Sequence, residues 1–125
     1  MLFTRELQRR LEVRGLGARL MAVAAHPGVA ASQLFQVAAG ATPLMVGWQR
    51  VARVAQSVQD GCTPLLLAAT GAAVRGGEYF GPSRLGLKGA PCRDAVRGYG
   101  ADEEMARELW SWSERACGIE SFAGW

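Results

Sequence analysis

The chain is poor in the residues that most often do chemistry. Of its 125 residues one is His and three are Cys, and among fourteen basic residues only Lys88 is Lys. A structural zinc site needs clustered Cys or His. Here no Cys-x-x-Cys occurs, Cys62, Cys92 and Cys117 are widely spaced, and His26 stands alone, so no metal ligands are assigned. An odd number of scattered thiols argues against a disulfide framework and fits reduced cysteines in a cytoplasmic protein. Long apolar runs are also missing. The longest, Pro64 to Val74, is rich in Ala and falls short of the ~20 residues a bilayer requires, so no transmembrane segment is expected. Arg5, Arg9 and Arg10 interrupt the N-terminus before the apolar core of a signal peptide could form. No repeat, low-complexity tract or linker divides residues 1–125. The net charge of +3 comes from dispersed Arg balanced by eleven acids, which argues against a nucleic-acid partner.

What the sequence does hold is apolar. Half of the residues are hydrophobic and a fifth are charged, the balance of a globular chain with a modest core. The organising stretch runs from Leu20 to Ser32. Leu20 to Ala25 has no polar face, which predicts a strand over about Ala18 to Ala25 covered on both sides, as in a parallel sheet. Pro27 cannot donate to a ladder and holds His26 extended. Gly28 lets the backbone turn and lets a ligand approach. In an open parallel sheet, ligands sit just past the carboxyl ends of strands, where this turn lies.

The other elements follow from periodicity. Phe3, Leu7 and Leu11 make one stripe of an amphipathic helix over residues 1–14, which Gly15 and Gly17 end. The pattern is already running at Leu2 with no capping residue ahead of it, which raises the expectation of lost upstream sequence. Thr42-Pro43 is a helix-start signal, followed by a stripe of Leu44, Trp48, Val51, Ala55 and Val58. Asp60-Gly61 reads as a turn, and Leu65 to Ala69 as a short helix stopped near Gly71. A short strand, Glu78 to Phe80, opens after Gly76-Gly77 and is closed by Gly81-Pro82. Residues 83–100 read as a long surface loop. The last helix is capped by Asp102, with Glu103 and Glu104 at the positive end of its dipole. Its expected buried stripe is Met105, Leu109, Trp112 and Ala116. Trp110 lies off that stripe, free to pack on a neighbour, and Gly118 is the C-terminal cap.

Four segments carry a likeness to a known family. His26-Pro27-Gly28-Val29-Ala30-Ala31-Ser32 resembles the HPGxxxT segment after the sixth strand of short-chain dehydrogenases/reductases. Leu2-Phe3-Thr4-Arg5-Glu6-Leu7 is similar to the helix after the family's Tyr-x-x-x-Lys. Gly76-Gly77-Glu78-Tyr79-Phe80-Gly81-Pro82 is similar to its seventh strand. Asp102 to Trp110 resembles the C-terminal helix of the retinol-dehydrogenase-like branch. The family's Gly-rich cofactor turn, Asn-Ala-Gly segment, catalytic Ser and Tyr-x-x-x-Lys are all absent. Tyr79 and Tyr99 are followed four residues on by Ser83 and Glu103.

The resemblance implies an α/β fold: the C-terminal portion of a Rossmann-like parallel sheet, with about two strands and four helices, a single partial domain over 1–125. It implies an NAD(P)-dependent oxidoreductase, with NAD or NADP as cofactor, acting in its full-length form on a small lipophilic carbonyl or alcohol. Pro27, Gly28, Val29 and Ser32 would face the nicotinamide, the amides turned to its carboxamide and the Ser32 hydroxyl in the family's Thr position. Leu34, Phe35, Met45 and Trp48 would belong to a lid over the substrate. No catalytic residue is assigned, and His26 reads as a surface or hydrogen-bonded structural residue rather than a base, because no carboxylate or nucleophile adjoins it in sequence. The competing expectation is a non-catalytic interaction module, which pairs through its first helix and an open strand edge with itself or a full-length relative, a homo-oligomer in the first case.

Overall fold

The structure, a computed structural model, describes residues 1–31 and 55–119. Among these the elements are α1 (Leu2–Val13), β1 (Ala24–Ala25), α2 (Val58–Thr70), β2 (Tyr79–Arg84), β3 (Lys88–Asp94), a 3-10 turn (Gly98–Ala101) and α3 (Glu103–Cys117). The three strands form one sheet in the order β1-β2-β3. This is a mixed α/β fold, as the sequence led one to expect. The chain divides into two compact units, Met1–Ala24 with Arg75–Tyr79 and Ala95–Trp125, and Ala25–Val74 with Phe80–Asp94.

In the first unit α1 packs on α3. Phe3 stacks on Trp110 at 4.8 Å between ring centroids, and the Arg10 guanidinium lies 4.6 Å from the centre of the Trp110 ring. The Trp110 indole N–H donates to Glu114 at 2.7 Å, so the buried ring keeps its one polar group satisfied. Two polar residues of α1 are buried, Glu6 and Gln8, where the sequence put a stripe of Phe3, Leu7 and Leu11. Both are fully paired. Glu6 accepts from Arg9 and Arg10 at 2.7–2.8 Å. Gln8 donates to Glu12 and accepts the Ala22 amide at 2.9 Å. The bond to Arg9 lowers the Glu6 pKa; burial opposes this and the bond to Arg10 adds to it.

Helix ends follow their sequence signals. After α1, Gly15 stands at φ 69°, with its amide on Glu12 O and the Leu16 amide on Leu11 O. After α3, Gly118 stands at φ 64°, and the amides of Gly118 and Ile119 close the last turn on Arg115 and Glu114. Both ends are Schellman-type terminations. Asp102 caps α3 by accepting the Met105 amide at 3.0 Å.

Several expectations are corrected. Strand β1 is limited to Ala24–Ala25, and Leu20 and Met21 ahead of it are exposed. The buried residues of α3 are Ala106 and Trp110, one step round the helix from the expected Met105, Leu109, Trp112 and Ala116. Asp60-Gly61 lies inside α2, which Ser57 caps by accepting the Asp60 amide at 3.0 Å. Ala55 and Val58 therefore fall on opposite sides of that cap, so no single helix joins them. Strand β2 continues through Gly81-Pro82 into a hairpin with β3, where the sequence read a loop. Pro82 is tolerated for a geometric reason. The carbonyls of Glu78 and Phe80 accept from Ala24 and His26, so by alternation the Pro82 nitrogen faces the same edge, past the last ladder bond.

Candidate functional site

The site candidate lies in the second unit, at the carboxyl end of β1. Ladder partners advance together there and in the first unit: Ala24 N donates to Glu78 O and His26 N to Phe80 O, both at 3.0 Å. β1 and β2 are therefore parallel. The segment joining them contains α2, which packs against β3. Helix α2 carries Pro64 in its interior, fully buried. Pro64 leaves the Asp60 carbonyl without its helical donor, and the Thr63 hydroxyl takes that place at 2.6 Å.

The turn Pro27-Gly28-Val29 follows β1 directly. Gly28 has φ 63°, and a Cβ there would fall on the Leu87 carbonyl oxygen and 2.7 Å from the Pro82 ring. No side chain fits. The Gly28 amide donates to His26 Nδ1 at 3.2 Å, which leaves the ring's other nitrogen to carry the proton of neutral imidazole. The His26 ring lies over Gly81, whose missing side chain makes the room. Of the two roles the sequence left open for His26, surface or hydrogen-bonded, the half-buried ring has the second. Val29 N donates to Leu87 O at 2.7 Å.

One side chain that sequence reasoning missed ties this turn together. Gln56 is buried and makes four hydrogen bonds. Its Nε2 donates to Pro27 O at 2.7 Å, and its Oε1 accepts the Gly89 amide at 2.9 Å. Its backbone amide donates to Val29 O and its carbonyl accepts from Ala31 N, both at 3.0 Å. Ala30 and Gln56 thus form an isolated parallel bridge. Gly61 completes the approach of α2, since a Cβ there would sit 2.9 Å from that of Ala30. Nothing in the sequence flags Gln56 as special, because its partners are main-chain groups distant in the chain.

Beside the clamp an open cavity of about 460 Å³ is lined by Gln56, Asp60, Thr63, Arg84, Lys88 and Gly89, among others. Of the expected nicotinamide-facing residues, Pro27 is exposed, and Gly28 and Val29 are half-buried. The amides of Gly28 and Val29 already donate within the chain, and Pro27 has none to offer. Ser32, and the lid residues Leu34, Phe35, Met45 and Trp48, lie outside the described residues, as do Thr42-Pro43 and the start of the stripe that follows. Among the described residues no group of three or more His, Cys, Asp or Glu could hold a metal ion, and all three cysteines are free thiols. No described helix is long and apolar enough to cross a membrane. Comparisons of the chain with protein families, with curated proteins and with solved structures return no match.

Proposed function

We propose that this chain is the C-terminal part of a short-chain dehydrogenase/reductase, an NAD(P)-dependent oxidoreductase of the cytoplasm that acts on a lipophilic carbonyl or alcohol. In the complete enzyme, Pro27, Gly28, Val29 and Ser32 line the nicotinamide pocket, and Leu34, Phe35, Met45 and Trp48 close over the substrate. The observation that carries the reading is the β1–α2–β2 unit. Two parallel strands are joined through a helix, and the Pro27-Gly28 turn stands just past the carboxyl end of the first. That is where doubly wound sheets take their ligands. The four sequence segments similar to the family occur in the family's order, which supports the same reading.

The bound nicotinamide would supply or accept the hydride. The chain's own part is to present a side-chain-free backbone at Gly28 and to fix it through Gln56. A proton donor and a phosphate-binding turn must come from elsewhere, because Gly76-Gly77 precedes a strand and neither tyrosine has the Lys partner. The carboxamide contact competes with two internal bonds, Gly28 N to His26 and Val29 N to Leu87 O. The test is titration of NADH and NADPH into this chain produced together with its upstream coding sequence, followed by nicotinamide fluorescence. Binding that Gly28→Val abolishes is the expected result. Binding indifferent to that change, or none, overturns the proposal.

The exposed Leu20 and Met21 ahead of β1 favour a second reading, a non-catalytic module that pairs with another chain. A stable monomer by light scattering at every concentration counts against it.

A further inference from the structure

In the first unit, α3 carries two apolar faces. Ala106 and Trp110 occupy one, against α1. Met105, Leu109 and Trp112 form the other, and with Leu2 they line an open groove of about 740 Å³. Trp112 is 61% exposed, a large apolar surface left in water. Glu108 and Arg115 stand on one flank of the same groove, both exposed. Among the described residues neither is in an ion pair. Their neighbours are engaged: Arg107 with Glu103 at 3.0 Å, and Glu114 with Arg10 at 3.8 Å.

We propose that this face is a self-association surface, on which α3 of a second copy lies antiparallel. The charge pattern selects that occupant. Glu108 and Arg115 are seven residues apart, so they lie on the same side of the helix at about 10.5 Å along its axis. A two-fold axis passing between Ser111 and Trp112 sets each residue opposite its mirror in the series. Glu108 then meets the Arg115 of a second copy, and Arg115 meets its Glu108. Trp112 falls beside the axis, in the middle of the apolar strip. A parallel two-fold pair would instead turn this flank of one copy toward the opposite flank of the other, so Glu108 and Arg115 would not meet across the axis. The flank is its own complement in the antiparallel arrangement, which is isologous, as the interface of a two-fold dimer must be.

The experiment is sedimentation velocity on the full chain over concentrations from about 1 μM to about 1 mM, a range that spans weak to moderate dissociation constants. A reversible dimer is expected. Glu108→Arg and Arg115→Glu should each weaken it at least about tenfold, and the double variant should restore association to near the original strength, since the pairs re-form with their signs exchanged. Trp112→Ser should abolish the dimer while the helical circular dichroism stays unchanged, because the side chain is outside the core. A monomer at all concentrations overturns the proposal. So does a dimer indifferent to the single charge variants, or a double variant as weak as the singles; either would assign the groove to a different partner.

Discussion

Replacing Gln56 with Ala removes a buried side chain that joins the Pro27–Ala31 turn to β3. Two hydrogen bonds are lost, Nε2 to Pro27 O at 2.7 Å and Gly89 N to Oε1 at 2.9 Å. Each such bond contributes about 1 kcal/mol net, and a donor left buried costs a further ~1 kcal/mol or more. Pro27 is exposed, so its carbonyl regains water; Gly89 is half-buried, and its amide does so only in part. The lost methylene adds about 0.8 kcal/mol. The sum is a destabilisation of about 3 kcal/mol, large for a chain of this size. Urea unfolding followed by circular dichroism gives the number, and hydrogen exchange gives the place. The Gly89 amide should lose protection first, with Val29 and Ala31 following as the bridge to Gln56 loosens. A loss below about 0.5 kcal/mol, the range of an ordinary surface substitution, would refute the claim that Gln56 organises the turn, and so would unchanged exchange at Gly89.

Gly28→Ala should cost about 2 kcal/mol or more, since it combines a left-handed φ of 63° with a Cβ placed against the Leu87 carbonyl; thermal melts of the two proteins measure it. Leu85→Asn should raise stability by about 1 kcal/mol. Leu85 holds φ 53° in the two-residue turn 84–87 and is 93% exposed, so the left-handed strain is relieved with no packing lost. The Glu6 carboxyl, lowered from its ordinary 4.5 by Arg9 and Arg10, contributes stability that is complete above that value and disappears as pH falls through the lower folded value. Glu6→Gln should therefore flatten the acid side of the stability–pH profile, read by chemical unfolding at stepped pH; an unchanged acid limb would show that the pairs contribute nothing.

The two terminal helices were legible in the sequence because their signals are local. Gly15, Asp102 and Gly118 mark ends through backbone geometry and a single side chain. The buried face of α3 was not legible. Met105, Leu109 and Trp112 lie next to Ala106 and Trp110 on the helix surface, and periodicity cannot say which apolar strip meets α1. What decides is the set of partners that Trp110 finds in Phe3, Arg10 and Glu114. The burial of Glu6 and Gln8 was hidden for a related reason, since burial of a polar group depends on partners that periodicity does not show. The β2–β3 hairpin was missed because its turn is Leu85-Gly86 rather than Asn-Gly, and because Pro82 reads as a strand breaker until the edge it faces is known. At the candidate site, the Pro27-Gly28 turn was plain from residue type. Gln56 was not, because main-chain partners distant in sequence leave no pattern.

Pro27, Gly28 and Val29 are proposed to belong to the nicotinamide pocket of a longer oxidoreductase. The DNA preceding the Met1 codon tests this proposal without any protein. The expected result is a Tyr-x-x-x-Lys motif just upstream of the α1 codons, in this frame or a shifted one, with a Gly-rich turn between a strand and a helix further upstream. Unrelated sequence in every frame would contradict it and leave the non-catalytic module as the better description.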